Sequence, residues 1–125
     1  MAVKFNLRPA GAGDAEFVFR LSNDRLVRRN SANSAEIRWE DHVAWFARML
    51  TSPDCIFYIV ESDGEPIGQV RFNRRERGWE CSGSLLPAWR GKGLSPRFLR
   101  AALIRSGLPE VVGMSKVANR IAIKP

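Results

Sequence analysis

The sequence is poor in the residues that build metal centres and disulfide frameworks. It holds two cysteines, Cys55 and Cys81, and one histidine, His42. Neither cysteine has the spacing of a metal site, and a single imidazole excludes a multi-histidine zinc centre. No metal is expected. Each cysteine sits inside a strand-like run, so both read as reduced, buried thiols of a cytoplasmic protein. No run of about 18 apolar residues occurs, so no transmembrane helix is expected. The opening stretch, MAVKFNLRPAGAGDAEF, has no apolar signal-peptide core. Repeats, linkers and low-complexity tracts are also missing, and a single domain over 1–125 is expected.

Positive charge is abundant. The formal net charge is +7, from 20 Lys and Arg against 13 Asp and Glu. Such an excess attracts anions: nucleic acid, membrane surfaces or phosphorylated small molecules. The arginines are scattered in ones and twos (Arg28-Arg29, Arg74-Arg75, Arg97, Arg100, Arg105), with no long basic tail. Aromatic residues do not interleave with them as in a stacking platform for single strands. Nucleic acid and membrane are therefore not the expected partners; a nucleic-acid binder would rest on charge alone and predicts steep salt dependence. At 45% hydrophobic the chain buries a core.

Val3 to Arg8 alternates and reads as a strand stopped by Pro9. Asp14 is a candidate N-cap for a helix from Ala15 to Leu21. Asn23 to Ala35 is polar and reads as a loop. Glu36 to Leu50 is an amphipathic helix with Trp39, Val43, Phe46 and Leu50 on one face. Strands follow at Cys55 to Glu61, Pro66 to Asn73 and Trp79 to Leu86, the first two joined by an Asp63-Gly64 turn. A helix runs from about Gly93 to Ser106, with Leu94, Phe98, Leu99, Ala101 and Ala102 on its apolar arc. Glu110 to Lys116 is a last strand. The order is β-α-α-β-β-β-α-β, an α/β mixture with an antiparallel meander and one crossover.

The stretch "PAWRGKGLSPRFLR" (Pro87 to Arg100) lies where a strand gives way to a helix. The first amides of a helix lack acceptors, and the helix dipole adds positive charge there. Gly91 and Gly93 let backbone approach an anion, and Arg90 and Lys92 add formal charge. The spacing fits neither GxxxxGK[ST] nor GxGxxG. Taken alone, RGKG fits an ordinary tight turn equally well.

In context, "LLPAWRGKGLS" (Leu85 to Ser95) resembles the GNAT family of acetyl-CoA-dependent N-acetyltransferases. Their signature is a strand, a proline and R-G-x-G-[LI] opening a helix. The resemblance implies the GNAT fold and acetyl-CoA as cosubstrate. It implies that Arg90, Gly91, Lys92, Gly93, Leu94 and Ser95 bind the coenzyme A pyrophosphate. Backbone amides near Leu85 and Leu86 would hold the thioester carbonyl, where the fourth strand splays from the fifth. A narrower resemblance is to the branch that acetylates the 4-amino group of nucleotide-linked amino-deoxy-sugars. It rests on "VRRNSANSAEIRWEDHVAWFARML", "IGQVRFN" and "WECSGSL", with Arg28, Asn30, Ser31, His42, Trp45 and Ser82 as the implied substrate residues.

Glu80 is the candidate base, directly or through water, and shares a strand face with Ser82 and Ser84. It also reads as a solvent-facing carboxylate. His42 reads as a substrate contact or a structural residue, and Trp45 as a stacking surface or a core residue. Arg28, Arg71 and Arg74 are candidates for a substrate diphosphate.

In the family the domain continues past the fifth strand into a short helix that often bears an acidic Tyr, then two more strands. Here "KVANRIAIKP" supplies Asn119, a further coenzyme-binding candidate, with Ala122 in place of the usual Ser. The resemblance therefore implies a domain lacking its last two strands and the usual Tyr, since Tyr58 lies in a strand. The exposed fifth strand is expected to be covered by a second copy, making a homodimer. Two alternatives stand beside the amino-sugar reading: an acetyltransferase of protein N-termini or ribosomal proteins, and a non-catalytic domain that keeps the fold.

Overall fold

The computed structural model describes residues 3–29 and 35–114. Five strands form one sheet in the order β1-β2-β3-β4-β5: β1 (Asn6–Pro9), β2 (Cys55–Ser62), β3 (Glu65–Arg75), β4 (Gly78–Leu85) and β5 (Gly113–Met114). The first four are antiparallel neighbours. β4 and β5 are parallel, with Glu80 opposite Gly113 and Cys81 opposite Met114. The helices are α1 (Ala15–Ser22), α2 (Arg25–Arg29), α3 (Trp39–Thr51) and α4 (Leu94–Ser106). This is the α/β arrangement, an antiparallel meander with one crossover helix, that the element order implied.

The sheet is covered on both faces. α4 packs one face, where Phe98, Leu99 and Ala102 join Val60, Val70, Phe72, Cys81 and Leu85. α1 and α3 pack the other, where Phe17, Val18, Leu21 and Phe46 meet Phe57 and Ile59. These helices cover the β2 side of that second face. Toward β3 and β4 the same face turns polar: Gln69 lies opposite Ser84, Arg71 opposite Ser82, and Asn73 opposite Glu80. The meander thus presents a row of polar side chains beside the α3 wall.

The Asp63-Gly64 turn has φ of 50° and 79°, the double positive value of a tight hairpin turn. Several expectations needed correction. The first strand runs over Asn6–Pro9, and Pro9 belongs to it because β1 is an edge strand that needs no donor there. Asp14 caps nothing with its side chain at α1. Its carboxylate turns back to accept from the Gly11 amide at 2.8 Å and from both Nη atoms of Arg8, each at 2.8 Å. The polar stretch after Asn23 contains α2, whose start is held by the Asp24 carboxylate accepting from the Val27 amide at 3.4 Å. The buried face of α3 is rotated: Trp39 and Val43 are 43% and 40% exposed, whereas His42 is 1% exposed beside Phe46. The last strand covers Gly113–Met114 among the described residues.

Candidate active site

α3 places Asp41, Trp45 and Arg48 on one face at helical spacing. Together with His42, with Ser22 and Arg28 from the first two helices, Ile37, and Arg71 of β3, they line a cleft of about 380 Å³. Local hydrogen bonds seat its walls. Asn23 grips the Ile37 backbone twice, donating from Nδ2 to the carbonyl at 3.0 Å and accepting from the amide at 2.7 Å. Arg28 donates from Nε to the Ser22 carbonyl at 2.7 Å and from Nη1 to that of Ala35 at 3.2 Å.

Arg71 forms the floor. Its guanidinium lies 4.9 Å from the Trp45 ring centroid and 5.8 Å from that of Phe57. Nε donates to Asn73 Oδ1 at 3.1 Å. Among the described residues no carboxylate lies within ion-pair distance of it. Burial pushes its pKa down, and the like charges of Arg75 and Arg28 push the same way. The cleft therefore holds a half-buried, oriented cation set against two aromatic rings, with no carboxylate partner among the described residues. Lining guanidiniums (Arg28, Arg48, Arg71) outnumber the single carboxylate, Asp41. Arg74 lies outside the cleft lining; it pairs with Asp54 at 2.9 Å.

His42 borders the cleft, but its Nε2 lies 2.8 Å from the Ala15 carbonyl, so Nε2 carries the hydrogen and donates. Its ring is 5.2 Å from Phe19 and 5.8 Å from both Trp45 and Phe46. Burial pushes its pKa below the usual value, which keeps the ring neutral. It ties α3 to α1. Trp45 is half-buried against Phe57 at 6.1 Å, and the Arg71 guanidinium lies over its ring.

Beyond β4, the Leu86 amide donates to the Ile67 carbonyl at 2.8 Å. Leu86 is therefore not a free donor, against expectation. Successive amides of a strand point to opposite edges. The Leu85 and Gly83 amides thus face away from β3, toward the edge that β5 flanks. A 3-10 turn, Pro87–Trp89, then leads to the glycine loop. Gly91 and Gly93 have φ of 74° and 71°, and an added Cβ at either would meet nothing within 4 Å. The amides of Gly91, Lys92 and Gly93 have no backbone acceptor among the described residues. With the first turn of α4 they form an open cradle of donors that suits a pyrophosphate. Leu94 and Ser95 are buried, so Leu94 contributes to that cradle only through its backbone.

Arg90 is already engaged. It ion-pairs with Asp24 at 2.7 Å, donates from Nε to the Leu85 carbonyl at 3.1 Å, and its amide donates to Pro87 at 3.2 Å. Glu80 is exposed and pairs with Arg75 at 3.4 Å. It sits at the opposite end of β4 from Leu85, about 17 Å along the strand. Ser82, opposite Arg71, lies between them on the cleft side. Asn30, Ser31 and Asn119 lie outside the described residues. Sequence reading missed Asp24, Asn73 and Gly83, and of the cleft lining it missed Ser22, Ile37, Asp41 and Arg48. The 41-45-48 spacing was the available signal for the α3 members. Among the described residues, no group of three or more His, Cys, Asp or Glu is placed to hold a metal ion, and no helix is long and apolar enough to cross a membrane.

Over residues 4–122 the sequence matches the acetyltransferase (GNAT) domain family. The chain belongs to that family. No curated protein sequence matches it. Among solved structures it is similar to spermidine N-acetyltransferase from Vibrio cholerae, in complex with CoA and spermine. That match has 21% identity and a TM-score of 0.68, over 82% of this chain and 63% of that one. It is also similar to an acetyltransferase from Thermus thermophilus, with 19% identity and a TM-score of 0.70, over 89% and 74%. A predicted acetyltransferase from Clostridium acetobutylicum, with acetyl-CoA, shares 14% identity and a TM-score of 0.64, over 94% and 86%. These likenesses show the fold. The chain spans 63% of the length of the Vibrio enzyme.

Proposed function

We propose that this GNAT chain is an acetyl-CoA-dependent N-acetyltransferase whose acceptor amine is carried on an anionic molecule: a nucleotide-linked amino-deoxy-sugar, acetylated at its 4-amino group. The observation that carries the acceptor reading is Arg71, an oriented cation in a cleft where arginines outnumber carboxylates. A diphosphate supplies a counter-charge for Arg71, and Trp45, which lines the cleft, offers an aromatic wall for a uracil or sugar ring. A polycation such as spermine meets a cleft of the wrong sign.

The Gly91, Lys92 and Gly93 amides and the α4 N-terminus take the pyrophosphate, with Lys92 supplying formal charge. The edge of β4 beyond Cys81, which has no strand neighbour among the described residues, receives the pantetheine arm as an added strand. In this reading the Gly83 and Leu85 amides polarise the acyl carbonyl as it becomes an oxyanion. Bound acetyl-CoA supplies an acyl thioester whose thiolate, of pKa about 8.5, leaves without a dedicated acid. The amine must lose a proton to attack. That proton passes along the Ser82 side of β4 to Glu80, through water. A second copy packed over β5 belongs to the same reading; a monomer mass by light scattering at micromolar concentration removes that part.

Calorimetric titration with acetyl-CoA tests the reading. Micromolar binding is expected, lost in Gly91→Asp and Gly93→Asp. A folded chain that gives no binding contradicts it.

A further inference from the structure

The turn between α1 and α2 stands between the two halves of the site. Asp24 Oδ2 in that turn accepts from Arg90 Nη2 at 2.7 Å. The Arg90 and Asp24 side chains are 23% and 16% exposed, so the pair is poorly screened by solvent. Arg90 also donates to the Leu85 carbonyl. One guanidinium therefore joins the end of β4, the entrance of the glycine loop and the α1–α2 turn. That turn carries one wall of the acceptor cleft: Asn23 grips Ile37, and Arg28 grips Ser22.

We infer that the Asp24–Arg90 ion pair is a positioning link between the two substrate sites, through which filling the glycine loop sets the cleft wall of Ser22, Arg28 and Ile37. The inference rests on the reading of the loop as the coenzyme site. At Gly91 and Gly93 an added Cβ would meet nothing within 4 Å, so the loop backbone is unpacked at both positions. Trp89 and Leu94 anchor the two ends of the loop in the core, and the Arg90 side chain reaches across to the α1–α2 turn. When the loop amides close on a pyrophosphate, the guanidinium is fixed with them. The Asp24 carboxylate follows, because separating a partly buried ion pair strands both charges. The coupling is reciprocal: an acceptor that settles the wall favours the coenzyme-binding form of the loop.

Hydrogen exchange of the full chain, with and without CoA, reads this directly. In the wild type, CoA slows amide exchange both in residues 91–95 and in residues 22–28, the latter by about fivefold or more. Asp24→Asn keeps an oxygen for the Val27 amide and removes the charge; Arg90→Gln removes the other partner. In Asp24→Asn CoA still protects the loop, but the protection it confers on residues 22–28 is lost; Arg90→Gln, a change within the loop itself, loses it as well. Arg90→Lys, which keeps the charge, restores part of it. Circular dichroism checks that each variant is folded. Equal CoA-induced protection of the turn in wild type and Asp24→Asn overturns the link, as does a wild-type turn that CoA leaves unchanged while the loop is protected. A wild-type loop that CoA does not protect removes the coenzyme reading, and the link with it.

Discussion

The Arg71 guanidinium lies 4.9 Å over the Trp45 ring while Asn73 Oδ1 holds its Nε at 3.1 Å. Stacking and the Asn73 bond fix the plane of the fork and leave the outer nitrogens to the cleft. Arg71→Lys keeps the charge but loses both restraints. We expect it to raise KM for a nucleotide-linked amino sugar about tenfold, a change of about 1.4 kcal/mol, with kcat little altered. Trp45→Leu shifts KM the same way. Steady-state kinetics with the acceptor varied checks both.

At Gly93 the backbone sits at φ 71° with open space around the missing Cβ. The cost of a side chain there is conformational, not a clash. Gly93→Ala should destabilise the fold by about 1–2 kcal/mol. It should also weaken acetyl-CoA binding, because relaxing the strain turns the loop amides away. Thermal melts and calorimetry on the same sample separate the two effects.

The buried His42 gives stability a pH dependence. Its folded pKa lies below the reference of 6.5, because burial disfavours the imidazolium. The unfolded chain then binds the proton more readily. Stability is full above about pH 6.5 and falls as pH drops through that value toward the folded pKa. His42→Gln keeps a donor for the Ala15 carbonyl and removes the titration. Its urea midpoint should change less between pH 7.5 and 5.5 than that of the wild type. Asp14, whose carboxyl is held down by the Arg8 guanidinium, acts in a separate window. Its contribution is present above the reference of 3.8 and is lost as pH falls below it.

Glu80→Gln removes the proposed proton acceptor at the solvent end of β4. The expected result is a loss in kcat of about 10²-fold, with acetyl-CoA affinity unchanged. A variant with wild-type kcat assigns Glu80 to its surface pair with Arg75.

The strands were legible because β-branched and aromatic runs alternate cleanly around Asp63-Gly64. The glycine loop was legible because only a few residue types tolerate its conformation. The α3 face differs from the Trp39, Val43, Phe46 and Leu50 stripe because His42, whose type gives no apolar signal, is buried against Phe19, Trp45 and Phe46. The cleft was half legible: Arg28, His42 and Trp45 lie in it as neighbours, and Arg71 joins them through sheet register. The Asp24–Arg90 pair spans 66 positions, and local pattern carries no trace of such a contact.

The most direct test of the central claim is CoA release from acetyl-CoA, measured side by side with a nucleotide-linked 4-amino-deoxy-sugar and with spermidine. The account predicts turnover of the anionic acceptor at a kcat/KM at least about tenfold above that for spermidine. Preference for spermidine, or no turnover of the nucleotide sugar by a chain that binds acetyl-CoA, would contradict it.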